Sequence, residues 1–309
     1  MGGLFAKPCI FRIFRENRIS PIKALATLPN IALTAPVEIS LPTRLNDIDL
    51  ILLGNEDSEE FSEEIESKNY FFDFEGGSDS AIINSISTES IFYLKAGDGK
   101  DTVILTGDFG ESTILGESGN DIISVNTFTK GISVISGGAG SDRIVGIGSV
   151  LGGGGKDVLK TLSTHAENVS MWGGKGTDTL RGGLGADFLS GGSSNDILKG
   201  NSGNDFIIGG SGKDKLNGGL GDDYLKGDAG KDTLIGGKGL DIFDLEGKDV
   251  VKDFSPSEGD VININEELYG TNISAIDTDE GTILTSDTGL GALIKNTSSF
   301  VVQAYLEFY

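Results

Sequence analysis

The chain reads Gly173-Gly174-Lys175-Gly176-Thr177-Asp178-Thr179-Leu180-Arg181 at the start of eight consecutive nonapeptides that end at Asp244. An aspartate occupies the sixth place of every repeat: Asp178, Asp187, Asp196, Asp205, Asp214, Asp223, Asp232 and Asp241. An α-helix has about 3.6 residues per turn, so a period of nine does not keep a steady stripe on one helix face. The pattern therefore predicts a repeat architecture in which each nonapeptide is a turn followed by a short strand.

Glycine dominates the first half of each repeat. It occupies the first place throughout, at Gly173, Gly182, Gly191, Gly200, Gly209, Gly218, Gly227 and Gly236, and it recurs at the second and fourth places. Glycine adopts positive φ angles at little cost, so we expect sharp turns whose carbonyl groups point inward. The exceptions at the second place, Asn201 and Asp228, are residue types that tolerate left-handed backbone. Ser194 is the exception at the fourth place, and we expect its loop to be the weakest.

The sixth and eighth places predict a metal site and a core. A short carboxylate beside exposed carbonyl groups is the ligand set of a hard cation with six to eight oxygen ligands, which favours calcium over magnesium. The eighth place is always apolar: Leu180, Leu189, Leu198, Ile207, Leu216, Leu225, Leu234 and Phe243. One inward side chain per short strand predicts a thin aliphatic core, with the seventh and ninth places facing outward.

Two nonapeptides make one coil of about 18 residues, and stacked coils pair their strands in parallel. Loops two repeats apart then lie side by side, and a cation can sit between them. Eight loops offer about six complete sites, with half-sites at the ends. On this arrangement Asp205 and Asp214 stand in the middle of the array, and Asp241 stands at its edge.

Residues Gly173 to Asp244 resemble the RTX (hemolysin-type) calcium-binding repeats, whose pattern is Gly-Gly-x-Gly-x-Asp-x-apolar-x. The resemblance implies an all-β fold, a right-handed parallel β-roll or β-helix solenoid with a C-terminal β cap. It also implies Ca2+ as the bound ion, a type I exporter as a partner and a secreted, extracellular location, with the bacterial cell surface possible. A flexible glycine-rich linker is the alternative, but a linker needs no apolar residue fixed at the eighth place.

Similar loops occur upstream at wider spacing. Their aspartates are Asp101, Asp121, Asp142 and Asp157. The steps from Asp101 to Asp121, from Asp121 to Asp142 and from Asp157 to Asp178 are each close to the length of one coil. We therefore expect one calcium-type turn per coil and an ordinary turn on the other side. The step from Asp142 to Asp157 is shorter, and it predicts a shortened coil around residues 146–155.

Composition supports a metal-dependent fold. The chain carries 48 glycines and a net charge of −23, so helical signal is poor and carboxylates are crowded. Stability is then left to bound metal and to stacking. The acidity argues against nucleic acid as a partner.

The single cysteine, Cys9, excludes an internal disulfide. No apolar run is long enough for a transmembrane segment. Arg12, Arg15, Glu16 and Arg18 interrupt the apolar residues of the basic start, so an ordinary signal peptide is not expected.

The sequence divides into four predicted segments. Residues 1–69 are basic and then acidic and partly disordered, and within them Glu59–Glu66 is interpreted as a linker rather than a short helix. Residues 70–172 form a degenerate solenoid, 173–244 the calcium β-roll and 245–309 a capping β region. Later strands are expected at Thr282–Thr285, Ala292–Lys295 and Phe300–Phe308. The end, Glu307-Phe308-Tyr309, is either an export signal of the kind the resemblance implies or a plain final strand.

No recognisable catalytic motif is present. The chain has one histidine, His165, and no Gly-x-Ser-x-Gly turn. We therefore expect a non-catalytic, secreted calcium-binding protein that folds outside the cell, with a possible adhesion, surface or matrix role toward an unidentified glycan or protein. The alternative is a polysaccharide lyase or epimerase. It would be indicated by a row of Tyr93, Lys95, Lys100 and Arg143 on one solenoid face.

Overall fold

The computed structural model describes residues 50–53, 60–65, 69–86, 91–108, 110, 112–127, 134–162, 166–265, 272–303 and 306–308. Cys9 and His165 lie outside these residues. The chain forms two compact units, Met1–Gly148 and Ser149–Tyr309. The boundary falls in the segment where the short step from Asp142 to Asp157 predicts a shortened coil.

The first unit is a parallel β-solenoid with two sheets. Its strands are β1 (Leu50–Leu53), β2 (Glu60–Ile65), β3 (Asn69–Asp73), β4 (Gly76–Gly77), β5 (Ser80–Ile86), β6 (Ile91–Lys95), β7 (Asp98–Gly99), β8 (Thr102–Asp108), β9 (Thr113–Leu115), β10 (Ser118–Gly119), β11 (Ile122–Thr127), β12 (Val134–Ala139) and β13 (Arg143–Val145). One sheet has the order β1-β3-β6-β9-β12, flanked by the short β4, β7 and β10, and the other has the order β2-β5-β8-β11-β13. Each coil contributes one main strand to each of the two sheets.

The interpretation of Glu59–Glu66 as a linker is wrong for Glu60–Ile65. These residues form β2, which pairs in parallel with β5 from Glu60↔Ser80 to Ile65↔Ser85. Likewise β1 pairs with β3, so solenoid strands begin before residue 70. The pairing partner of β2 lies one full coil further along the chain. The local acidic composition therefore gives no sign of it.

The second unit contains the eight tight repeats. Its strands are β14 (Ser149–Gly154), β15 (Val158–Lys160), β16 (Ser170–Lys175), β17 (Thr179–Arg181), β18 (Phe188–Ser193), β19 (Ile197–Ser202), β20 (Phe206–Gly212), β21 (Lys215–Leu220), β22 (Tyr224–Gly230), β23 (Thr233–Lys238), β24 (Ile242–Leu245), β25 (Val250–Val251), β26 (Val261–Ile264), β27 (Ser274–Thr278), β28 (Gly281–Thr285), β29 (Gly291–Lys295) and β30 (Leu306–Phe308). One sheet runs β14-β16-β18-β20-β22-β24-β26-β30, and the other runs β15-β17-β19-β21-β23-β25-β29-β28-β27. The repeats themselves pair in parallel and in register, as Leu189↔Ile207 and Leu198↔Leu216 show.

The core of the second unit consists of two stacked rows of apolar side chains, one from each sheet. The eighth-place residues Leu180, Leu189, Leu198, Ile207, Leu216, Leu225, Leu234 and Phe243 are all buried. Residues at the seventh place lie outside, and Phe188, Phe206 and Tyr224 stack their rings in sequence with centroids 5.8 and 4.5 Å apart. The predicted thin core is confirmed, and so is the outward alternation, except at the ninth place of the last repeat, where Asp244 is buried.

The C-terminal segment changes to antiparallel pairing. Strand β29 continues the parallel sheet by pairing with β25, and β28 and β27 then add in antiparallel register. The strands expected at 282–285 and 292–295 are present. The strand expected over Phe300–Phe308 is wrong in its first part, because Ser299–Gln303 forms the short helix α1 before β30. Asp277 accepts the Ser299 backbone N–H (2.5 Å) and thereby satisfies one N-terminal donor of α1.

In the part of the chain that the structure describes, no helix has the length and apolarity that a membrane crossing requires.

Candidate metal centre

The aspartates of the second unit form two ladders along the two rows of turns. The first ladder contains Asp157, Asp178, Asp196, Asp214, Asp232 and Asp249, and the second contains Asp187, Asp205, Asp223, Asp241 and Asp260. In each ladder the Oδ1 atom accepts the backbone N–H of the aspartate one coil earlier. The N–O distances run from 2.7 to 3.0 Å in the first ladder and from 2.8 to 3.1 Å in the second. The eight predicted aspartates are thus divided four and four, with six gaps between neighbouring loops.

A third ladder lies in the first unit. Asp79, Asp101 and Asp121 donate their backbone N–H to the Oδ1 atoms of Asp101, Asp121 and Asp142, over 2.8, 2.9 and 2.8 Å. One calcium-type turn per coil was expected upstream, and these four aspartates stand at one turn in each coil. Asp79 was missed by the sequence reasoning, although the preceding Gly76-Gly77 carries a trace of the repeat.

The second carboxylate oxygen of many ladder residues is buried without a hydrogen bond. This is the Oδ2 atom of Asp101, Asp121, Asp178, Asp196, Asp205, Asp214, Asp223 and Asp232. A buried carboxylate oxygen without a partner is costly, because burial removes the water that would solvate its charge. The recurrence of this unpaired oxygen from coil to coil indicates a cation site that repeats along the solenoid.

The first-place glycines face this oxygen. A methyl group placed on Gly173 would lie 2.5 Å from Asp178 Oδ2 and 2.6 Å from the carbonyl oxygen of Gly191 on the next coil. Gly191 repeats the arrangement, with Asp196 Oδ2 at 2.5 Å and the Gly209 carbonyl oxygen at 2.6 Å. A carboxylate oxygen and a carbonyl oxygen from neighbouring coils therefore converge on one small space. Calcium binds such oxygens at about 2.3–2.6 Å, so the donors present fit the ion.

The conformations of the glycines correct part of the sequence interpretation. Positive φ occurs at most of the second and fourth places, as in Gly174 (φ 104°), and the second-place exceptions Asn201 (79°) and Asp228 (60°) also adopt it. Ser194 adopts φ 86° at the fourth place. The first-place glycines do not have positive φ. Glycine is required there because a side chain would fill the space between the two oxygens.

The upstream loops differ from one another in the residue at the first place and in what surrounds it. In the first unit, Gly116 precedes Asp121 and has the same surroundings, with Asp121 Oδ2 at 2.5 Å and the Gly137 carbonyl oxygen at 2.4 Å from the point that a methyl group would occupy. Ala96 stands at the first place before Asp101, so a side-chain carbon occupies the equivalent space. The donor set thus fits calcium at Asp121. It fits at Asp157 as well, where Gly152 faces Asp157 Oδ2 and the Gly173 carbonyl oxygen. At Asp142, the carboxylate lies against Gly137 of its own loop.

Both ladders of the second unit continue beyond the tight repeats, and this too was missed. Asp232 donates its N–H to Asp249, and Asp241 donates its N–H to Asp260, so Asp241 is not at the edge of the array. The last carboxylates are satisfied by the protein itself. Asp249 Oδ2 accepts the Glu246 N–H at 3.1 Å, and Asp260 Oδ2 accepts the Ser255 N–H at 2.7 Å. The C-terminal ends are therefore closed by hydrogen bonds.

At the start of the second ladder, both carboxylate oxygens of Asp187 likewise accept hydrogen bonds from the protein. Its Oδ1 accepts the N–H of Val169, which stands where an aspartate would continue the ladder, and its Oδ2 accepts the N–H of Gly183 at 2.6 Å. At the other end, Asp253 accepts the N–H groups of Gly236 and Gly237, both at 3.0 Å. Asp253 thus occupies the position that a further loop would take. Its place one coil after Gly236 is the only signal in the sequence.

Burial raises the pKa of the ladder carboxyl groups. The pKa of Asp205 rises to about 8 and that of Asp196 to about 7, chiefly because burial disfavours the charged form, with repulsion from neighbouring aspartates adding to the effect. The backbone N–H groups oppose this shift but do not cancel it. A cation between the loops would relieve both causes.

The donor set belongs to a hard cation. Among the described residues, no three His, Cys, Asp or Glu side chains converge on one point. Each gap between loops instead combines aspartate with backbone carbonyl oxygens, which suits calcium rather than a metal that prefers nitrogen or sulfur ligands.

Stacked parallel coils with oxygen-lined turns define a β-roll of the calcium-binding class. The family model of the RTX calcium-binding nonapeptide repeat matches residues 96–127, 129–146, 151–189, 172–207, 190–225 and 208–243. The chain carries RTX calcium-binding repeats across residues 96–243, and Ca2+ is the ion that these repeats bind. No curated protein is significantly similar to the chain.

The row that would indicate a polysaccharide lyase is not formed. Tyr93 and Lys95 are on β6 in one sheet, Arg143 is on β13 in the other, and Lys100 is in the turn between β7 and β8. Lys95 is also paired with Glu117 at 3.0 Å.

Proposed function

We propose that this chain is a secreted, non-catalytic calcium-binding protein that folds when it meets calcium outside the cell and then serves at a surface or in a matrix. The observation that carries the proposal is the repeated buried Oδ2 atom facing a carbonyl oxygen of the next coil, as in Asp178 and Gly191. Each strand buries only one large apolar side chain in the repeats. A core this thin leaves the carboxylate repulsion to be overcome by bound metal.

The calcium concentrations on the two sides of a membrane make such a fold directional. Extracellular calcium modules have dissociation constants of about 10⁻⁴–10⁻³ M, far above the calcium concentration at which cytosolic sites fill. A chain of this kind stays extended in the cytosol and rolls up outside. The type I exporter that the RTX resemblance implies transports an extended chain, so folding on the far side prevents its return.

Export can be tested by expressing the full chain in bacteria with and without a type I exporter, in medium with millimolar calcium or with chelator. We expect exporter-dependent appearance of the chain in the medium, and a protease-resistant product only where calcium is present. Equal release without the exporter contradicts the proposed route. Equal protease resistance in chelator contradicts folding on calcium, whatever the route.

A further inference from the structure

Four cationic side chains lie close together on the outer face of one sheet of the second unit, and three of them form a row. Lys160 on β15, Arg181 on β17 and Lys199 on β19 are direct neighbours in the parallel register, and Lys215 on β21 is paired with Ile197, two residues before Lys199 on the same face. We call these four residues the basic ladder. Arg181, Lys199 and Lys215 are exposed and Lys160 is partly exposed, while the leucines beside them point into the core.

The basic ladder has no counter-charge on its own face. Among the described residues, none of its four side chains forms an ion pair, and strands β15, β17, β19, β21 and β23 contain no acidic residue. Like charges on directly paired strand positions destabilise a sheet. The chain has 47 acidic and 24 basic residues, so its average composition does not predict a face on which every charged residue is basic. Such a face suits an anionic partner, which would remove the repulsion.

The spacing of the ladder fits an extended polymer. Neighbouring strands lie about 4.8 Å apart, so the charges of Lys160, Arg181 and Lys199 follow the solenoid axis in single file at about that step. One sugar of an extended glycan spans a similar distance. Thr179 and the half-exposed Ile197 lie beside the cations and provide a flat, weakly polar strip for sugar rings. We propose that the basic ladder binds a linear acidic polysaccharide, with about one carboxylate or sulfate group for each coil.

Nucleic acid fits this face less well. Single-stranded nucleic acid is held by stacking on aromatic side chains, and the stacked Phe188, Phe206 and Tyr224 are on the other sheet. Double-stranded DNA carries charge on two backbones and requires a broad basic surface, whereas the ladder is a narrow strip with one cation on each strand. The proposal rests on the calcium-loaded fold of the proposed function and adds a class of partner to it.

The test uses the full chain in saturating calcium and a labelled oligouronate too short to gel with calcium. The variant Lys160→Gln, Arg181→Gln, Lys199→Gln removes three charges from the ladder. The matched control, Lys213→Gln, Lys231→Gln, Lys238→Gln, removes three charges from exposed lysines in or beside the turns. Each exposed ion pair contributes only a small part of the binding free energy, so we expect about tenfold weaker binding for the ladder variant, which loses three of them, and little change for the control.

Several outcomes would overturn the proposal: no binding by the unaltered chain, equal weakening in both variants, or equal affinity for single-stranded DNA of the same charge. A neutral oligoglucan of the same length should not bind. Circular dichroism of the same samples verifies that both variants fold. A chain that is already folded in chelator contradicts the calcium switch but leaves the comparison of the two variants valid.

Discussion

The Asp214 carboxylate joins two coils, because its Oδ1 atom accepts the backbone N–H of Asp196 over 2.7 Å, 18 residues earlier in the chain. Its Oδ2 atom is buried without a hydrogen bond. Each mid-array aspartate therefore has two tasks. One oxygen fastens the preceding coil, and the other remains for an ion between the loops.

Asp214→Asn separates these two tasks, because asparagine keeps an oxygen for the Asp196 N–H but loses the charge. Calcium affinity follows the number of charged ligands, so we expect the calcium midpoint of folding to rise about tenfold. Asp260→Asn is the matched control, since Ser255 already occupies its Oδ2 atom. Its calcium midpoint should shift much less. Equal shifts, measured by calcium titration of circular dichroism, would count against an open oxygen in the middle of the ladder.

Gly200→Ala tests the space at the first place of the repeat. The added methyl group would lie 1.9 Å from Asp205 Oδ2 and 2.7 Å from the Gly218 carbonyl oxygen, without any strain from φ. We expect a loss of about 1–3 kcal/mol in folding free energy at saturating calcium, together with weaker calcium binding.

Gly154→Ala is the control, because a methyl group there meets nothing within 4 Å and its φ is not positive. Denaturant unfolding in saturating calcium gives the comparison. Equal losses in the two variants would show that the first-place glycines are not special.

Without calcium, the folded state should be more stable at acid pH than at pH 8. Burial raises the pKa of Asp205 to about 8 and that of Asp121 and Asp241 to about 7, above the value of 3.8 that applies in the unfolded chain. Between these values the folded chain binds more protons than the unfolded chain, so stability falls as pH rises from about 4 to 8. In chelator we expect more folded protein at pH 5 than at pH 8.

The same protons compete with calcium, so the calcium midpoint measured near pH 5 should depend less on the ladder charges than at pH 8. Thermal melts in chelator across this pH range measure the first effect. A calcium-free chain whose stability increases with pH over the range would contradict the burial of the ladder.

The outer aromatic stack should stabilise the roll independently of calcium binding. Phe206 lies between Phe188 and Tyr224, and aromatic pairs contribute about 0.5–1.5 kcal/mol each beyond buried area. Phe206→Ala should therefore unfold at lower urea concentration in saturating calcium. Ile197→Ala, at a similarly exposed position on the other sheet, should cost less. Equal losses would mean that ring stacking adds nothing here.

The periodic part of the fold was predictable from the sequence. The apolar residue at the eighth place of every repeat predicts the core, and the spacing of two repeats per coil predicts that the aspartates align. Asp249 and Asp260 were missed because they continue the ladders at intervals of 17 and 19 residues, without the first-place glycine that precedes the aspartates of the tight repeats. The reason for glycine at the first place was also missed. It depends on a carbonyl group of the next coil, which no local dihedral preference reveals. Helix α1 depends similarly on Asp277, 22 residues before Ser299.

The most direct test of calcium-driven folding is a calcium titration of the full chain by far-ultraviolet circular dichroism at pH 8, starting in excess chelator. We expect an unfolded spectrum at the start and a cooperative gain of β signal near millimolar calcium, because each ladder aspartate that binds an ion also holds the preceding coil through its Oδ1 atom. Magnesium at the same concentration should not reproduce the change. A full β spectrum in chelator that calcium does not alter would contradict the central claim that bound calcium drives this chain to fold.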